Sequence, residues 1–69
     1  MNIKIIAEHY IESGITSYSE IVKNCIALSE TDVRLRNAMI WQFGSVGEFA
    51  AQLFDAVQEI LINGNRQST

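Results

Sequence analysis

The chain contains no proline, one cysteine, one histidine and only four glycines in 69 residues. Each scarcity excludes something. A lone Cys25 cannot form an internal disulfide or a cysteine-based zinc cage, and a lone His9 has no second nitrogen or sulfur ligand placed to share a transition metal. We expect no metal and no cofactor. Catalysis needs a nucleophile or acid–base pair oriented by a third group, and one histidine, one cysteine and scattered carboxylates offer no such set, so the expectation is a non-enzyme with no catalytic residues.

Positive charge is equally scarce. Five Lys/Arg stand against eight Asp/Glu, a net charge of −3, which leaves no basic surface to neutralise a series of phosphates and disfavours nucleic acid as a partner. No apolar run approaches the ~18 to 20 residues that cross a bilayer, and Glu8, His9 and Glu12 interrupt the N-terminal isoleucines before a signal-peptide core could form. A cytoplasmic protein without a membrane partner is expected. A free thiol fits a reducing compartment.

What is present is apolar residue in helical order. Hydrophobic residues make up 48% of the chain and charged ones 19%, the balance of a folded protein. With few helix-breakers and strand-like alternation only at Ile3 and Ile5, the fold class is all-α. A chain of this size buries only roughly 60% of its unfolded surface, so its margin alone is thin. Disulfide and metal being excluded, oligomerisation is the remaining source of stability.

Ile3, Ile6, Ala7, Tyr10 and Ile11 form one stripe of a first helix, stopped by Gly14. Ser17-Tyr18-Ser19-Glu20 has the pattern of a capping box, with Ile15 placed to staple against Ile21. A second helix runs from there to about Leu28, its stripe made of Tyr18, Ile21, Val22, Cys25 and Ile26. Ser29 or Thr31 can cap a third helix, with Glu30 and Asp32 in its first turn.

From Val33 to Leu61, the positions Val33, Arg36, Ile40, Phe43, Gly47, Ala50, Phe54, Val57 and Leu61 repeat at 3-4 spacing, flanked by Met39, Val46, Leu53 and Ile60. The phase holds across Gly44-Ser45-Val46-Gly47. This predicts one long C-terminal helix, unbroken or kinked, with the two short N-terminal helices packed on it. Against it, two glycines cost roughly 1 kcal/mol each and Ser45 with Glu48 makes a second capping box, so a break would give four short helices. Asn63-Gly64-Asn65 signals the end, making residues 1–65 one domain and 66–69 a disordered tail.

The rod presents two surfaces. Arg34 and Arg36 lie near its start and Asp55 and Glu59 near its end, so two copies crossing antiparallel would bring opposite charges together, with Gly44 and Gly47 at the crossing. This assigns Arg36, Ile40, Phe43, Gly44, Gly47, Ala50 and Phe54 to self-association in a twofold dimer. Trp41 falls opposite that seam on a polar ridge with Glu48, Gln52, Asp55 and Glu59. It is either covered by the first two helices or the anchor of a partner contact.

The functional expectation is a small acidic helical protein–protein interaction module, a regulator or inhibitor that docks on a larger, basic protein through that ridge. Two alternatives stand beside it. A DNA-binding regulator resembling a helix-turn-helix would use the first two helices, although the gap from Ala7 to Gly14 is long for that turn and Lys23 is the only cation offered. A small-ligand binder would need a cavity at an oligomer interface. His9 and Cys25 are expected to be an ordinary boundary histidine and a buried, inert thiol.

Overall fold

The computed structural model describes residues 2–67, with side chains through Gly64. It is all-α: α1 spans Ile3–Glu12, α2 Tyr18–Thr31, α3 Val33–Phe43 and α4 Val46–Gln67. The helix boundaries follow from capping chemistry. Asn2 opens α1 by accepting from the Lys4 and Ile5 amides at 3.0 and 3.4 Å, which satisfies two of the four orphan donors of the first turn. At the other end Gly14 takes φ +77°. The Gly14 amide donates to the Ile11 carbonyl and the Ile15 amide to the Tyr10 carbonyl, at 3.0 and 2.9 Å. That pair of bonds is a Schellman motif, and Ile15 supplies its apolar contact by packing on the core.

Ser17 caps α2 as expected, its hydroxyl accepting from the Glu20 amide at 3.3 Å. The helix then runs three residues beyond Leu28. Ser29 and Thr31 do not cap the next helix; their hydroxyls donate back to the carbonyls of Ile26 and Ala27, at 2.7 and 3.1 Å, and so stay within α2. Asp32 takes the capping role instead. Extended at φ −128°, it ends α2 and starts α3, its carboxylate accepting from the Leu35 amide at 3.1 Å.

The rod from Val33 to Leu61 is broken. Gly44 adopts φ +97° and ψ −34°, ending α3 with its amide on the Ile40 carbonyl at 2.9 Å. Ser45 then caps α4, its hydroxyl accepting from the Glu48 amide at 3.0 Å and its carbonyl from Phe49. A left-handed glycine followed directly by a capping serine outweighs a periodicity that both helices share for a simpler reason, namely that both face one core. The expectation of two helices on one rod is corrected to three on one: α1, α2 and α3 all pack against α4, and α2 also against α3.

The stop expected at Asn63-Gly64-Asn65 does not occur, and α4 continues to Gln67. Glycine permits a left-handed turn without imposing it. At Gly14 the next residue is apolar Ile15, which anchors the reversal, whereas polar Asn65 follows Gly64 in the sequence. Residues 68–69 of the expected tail lie outside the described residues.

The core is Ala7 and Tyr10 of α1, Ile21 and Cys25 of α2, Met39 of α3, and Phe49, Ala50, Leu53 and Val57 of α4. Four of these nine residues belong to α4, the helix against which the other three all pack. Edge-to-face aromatic pairs lock two contacts: Phe43 with Phe49 at 5.0 Å across the α3–α4 turn, and Tyr18 with Phe54 at 5.2 Å between α2 and α4. The Tyr10 hydroxyl donates to the Asn24 side-chain oxygen, joining α1 to α2. No helix among the described residues is long and apolar enough to cross a membrane.

Candidate interaction surface

The break changes which residues share a surface. On α3 the inward side is Leu35, Ala38, Met39 and Phe43, so the opposite side, at 100° per residue, is centred on Asn37, with Trp41 beside it. Val33 and Ile40 flank that line on one side and Arg34 on the other, while Arg36 lies beyond Ile40. The stripe Val33–Arg36–Ile40, expected to face the seam, faces solvent instead: Val33 is 65% exposed and Ile40 40%. Trp41 is 88% exposed. Neither α1 nor α2 covers it.

This helix is apolar on two faces. The inner one is consumed by the core and the outer one is left bare, which is the signature of an element that must be covered from two sides. Val33 and Trp41 sit eight residues apart, about 12 Å along the axis, with Asn37 between them. Arg34 and Arg36 border this ridge on its two flanks. The segment Val33–Phe43 carries no Asp or Glu, and the nearest acid, Asp32, has its carboxylate turned to the Leu35 amide.

The acidic half of the expected ridge survives on a different helix. Glu48, Gln52, Asp55 and Glu59 are all exposed and succeed one another at 4-3-4 spacing along the outer side of α4, opposite Leu53 and Val57. They form a polar ridge without Trp41, which the turn at Gly44 has carried onto α3.

The residues assigned to self-association are scattered. Ala50 is 1% exposed and belongs to the core, whereas Phe43 and Phe54 are half-buried against it, each in an aromatic pair. Gly44 and Gly47 are exposed, as is Arg36. Of the two glycines expected to allow two backbones to cross, Gly44 makes the turn, whereas Gly47 is helical in the first turn of α4 with room for a Cβ.

Two other features are built into the fold without forming a reactive site. Cys25 is fully buried beside Tyr10. Burial pushes the Cys25 thiol up, opposed in part by the Tyr10 hydroxyl, and burial first, then the neighbouring Cys25, pushes Tyr10 up to about 12. A thiol held protonated is a poor nucleophile. A cleft of about 200 Å³ lies between α1 and α4, lined by Ile3, Lys4, Ala56, Glu59, Ile60 and Asn63, and an open groove of about 350 Å³ lies along α2, lined by Ile15, Glu20, Lys23, Asn24 and Ala27. His9 is exposed on α1. Residues 13–17 separate α1 from α2, longer than a helix-turn-helix turn.

Sequence reasoning singled out Trp41 but missed Val33 and Ile40 as its neighbours on an outer face. The signal was there in Leu35 and Met39, which form a second apolar stripe at four-residue spacing on the other side of the same eleven residues. Comparison with protein families, curated proteins and solved structures found no match.

Proposed function

We propose that this chain is a small protein–protein interaction module, a regulator that docks on a larger protein through the outer face of α3 with Trp41 as its anchor. The observation that carries this reading is the 88% exposure of Trp41 beside exposed Val33 and Ile40. Covering a tryptophan removes about 200 Å² from water, roughly 5 kcal/mol of gross driving force. Tryptophan is also enriched among the few residues that dominate interface energetics.

The acidic ridge of α4 takes a secondary part. Glu48, Asp55 and Glu59 repel acidic surfaces and attract basic ones, so they orient the module relative to its partner and select against wrong docking poses. The basic partner expected from Trp41 on an acidic ridge gives way here to one that meets α3 first. A twofold dimer competes for the same face. Two α3 helices crossing antiparallel at Asn37 would set each Trp41 against the other copy's Val33, but would also double the arginines in one contact. That doubling of like charge favours a different protein over a second copy.

The test is capture of binding proteins from the source cells with the wild type and Trp41→Ala, followed by reconstitution from purified components. Loss of at least ~2 kcal/mol, about 30-fold in affinity, with an unchanged melting temperature supports the docking role. Equal binding by Trp41→Ala, or a large drop in its melting temperature, overturns it.

A further inference from the structure

We infer that the occupant of the α3 face is an acidic amphipathic helix of the partner, whose apolar stripe covers Trp41, Ile40 and Val33 and whose carboxylates meet Arg34 and Arg36. The inference rests on the proposed docking role and specifies its chemistry. Charge placement is the ground for it. Two of the chain's five cations stand on α3, and none of its eight acids does; the two arginines rise on opposite flanks of one apolar ridge, so a helix lying along it meets a guanidinium on each side. Arginine presents a planar fork of donors that matches a carboxylate.

The remainder of the molecule sharpens the choice. The outer ridge of α4 carries Glu48, Asp55 and Glu59 and would repel an acidic helix, which confines such a helix to α3 and fixes where it can dock. A basic occupant would leave both arginines facing like charge at the rim of a desolvated contact. A single-stranded nucleic acid could stack a base on Trp41, but only two cations would meet its phosphates, the chain is acidic overall, and aliphatic Val33 and Ile40 would serve no purpose. The ridge of about 12 Å matches two turns of a helix, the usual span of anchors placed at i, i+3 or i+4, and i+7.

The experiment selects a random peptide library displayed on phage against the full chain, with Trp41→Ala as counter-selection. The expected winners place Asp or Glu beside two or three large apolar residues at helical spacing. The best of them, synthesised, should lose at least about tenfold in affinity for the double variant Arg34→Glu/Arg36→Glu, weaken as salt is raised, and regain affinity for that variant when its own acids are changed to lysine. Both arginines are exposed, so the double variant should melt near the wild type. Arg34→Gln/Arg36→Gln provides an intermediate charge.

Several outcomes overturn the inference: basic or charge-free winners, no winners distinct from the counter-selection, no effect of the charge reversal, displacement of the peptide by a single-stranded oligonucleotide, or an α3-dependent dimer in sedimentation. Binding that needs Trp41 but ignores both arginines leaves the docking role standing and removes the acidic occupant. Binding indifferent to Trp41 removes both.

Discussion

Gly44 and Gly47 lie three residues apart, and the structure predicts that alanine has opposite effects at the two. Gly44 sits at φ +97°, and a Cβ built there meets nothing within 4 Å. Its substitution therefore meets no clash, and the whole cost is backbone strain, about 1 to 2 kcal/mol for an L-residue forced to positive φ. Gly47 is helical within the first turn of α4, where a Cβ would reach only the Ser45 hydroxyl at 3.8 Å, an ordinary contact. Alanine there removes unfolded-state freedom and stabilises by about 0.4 to 1 kcal/mol. In a domain of this size 1 kcal/mol moves the melting temperature by roughly 4 to 8 °C. Gly44→Ala should thus melt about 4 to 16 °C below the wild type and Gly47→Ala about 2 to 8 °C above it. Thermal melts followed by far-ultraviolet circular dichroism read both. If both variants melt higher than the wild type, the two glycines are interior positions of one continuous helix, and the turn at Gly44 is refuted.

Three further outcomes come from the core. Leu53 of α4 is fully buried in the core, so Leu53→Ala should cost about 2 to 5 kcal/mol, much of the ~3 to 10 kcal/mol total expected for a chain this size, as read by urea denaturation. Cys25 is buried with its thiol pushed up; a thiol reagent should find no reactive group in the native chain and one equivalent once the chain is unfolded. Tyr10, raised from 10.0 to about 12, keeps its proton when folded at a pH where the unfolded chain has released it. Its contribution is complete below pH 10 and falls away as pH climbs from 10 through about 12. The wild type should lose stability across that window more steeply than Tyr10→Phe, and parallel profiles would contradict the assignment.

Much of the fold was legible because capping is local chemistry. Gly14 and Ser17 did what their types and neighbours predict, since one glycine followed by an apolar residue, and one serine three places before a glutamate, carry their instructions within a few residues. The N-terminal stripes were legible in part for the same reason: Ala7, Tyr10, Ile21 and Cys25 are buried where periodicity puts them, whereas Tyr18 and Ile26 of the α2 stripe are exposed. The α3–α4 region was not, because periodicity reports which residues face a core and not whether the axis turns between them. Ser45 and Glu48 announce the turn as plainly as Ser17 and Glu20 announce α2, but an apparently unbroken phase points the other way. That phase is true only of α4, where Ala50, Leu53 and Val57 are buried. In α3 the inward side is centred on Met39, and the stripe through Val33 and Ile40 is the outer one.

The candidate surface was legible in one residue. A lone tryptophan opposite the seam can be read from the helical wheel, but its neighbours depend on where α3 ends. Once Gly44 turns the chain, Trp41 parts from Glu48, Gln52, Asp55 and Glu59 and joins Val33, Ile40 and two arginines. The sign of the charge around the anchor is thus a tertiary property, decided by one left-handed glycine.

Both the docking role and its acidic occupant require that this turn leave α3 with a bare outer face carrying Trp41. The chain has a single tryptophan, so its fluorescence reports one position. Acrylamide quenching of dilute protein, compared with a free tryptophan derivative and with the urea-unfolded chain, reads that face directly. Quenching of the folded protein should lie close to that of the unfolded chain, with emission close to that of tryptophan in water. A blue-shifted emission and strong protection from acrylamide in a dilute monomer would place the indole inside the fold and contradict the bare face.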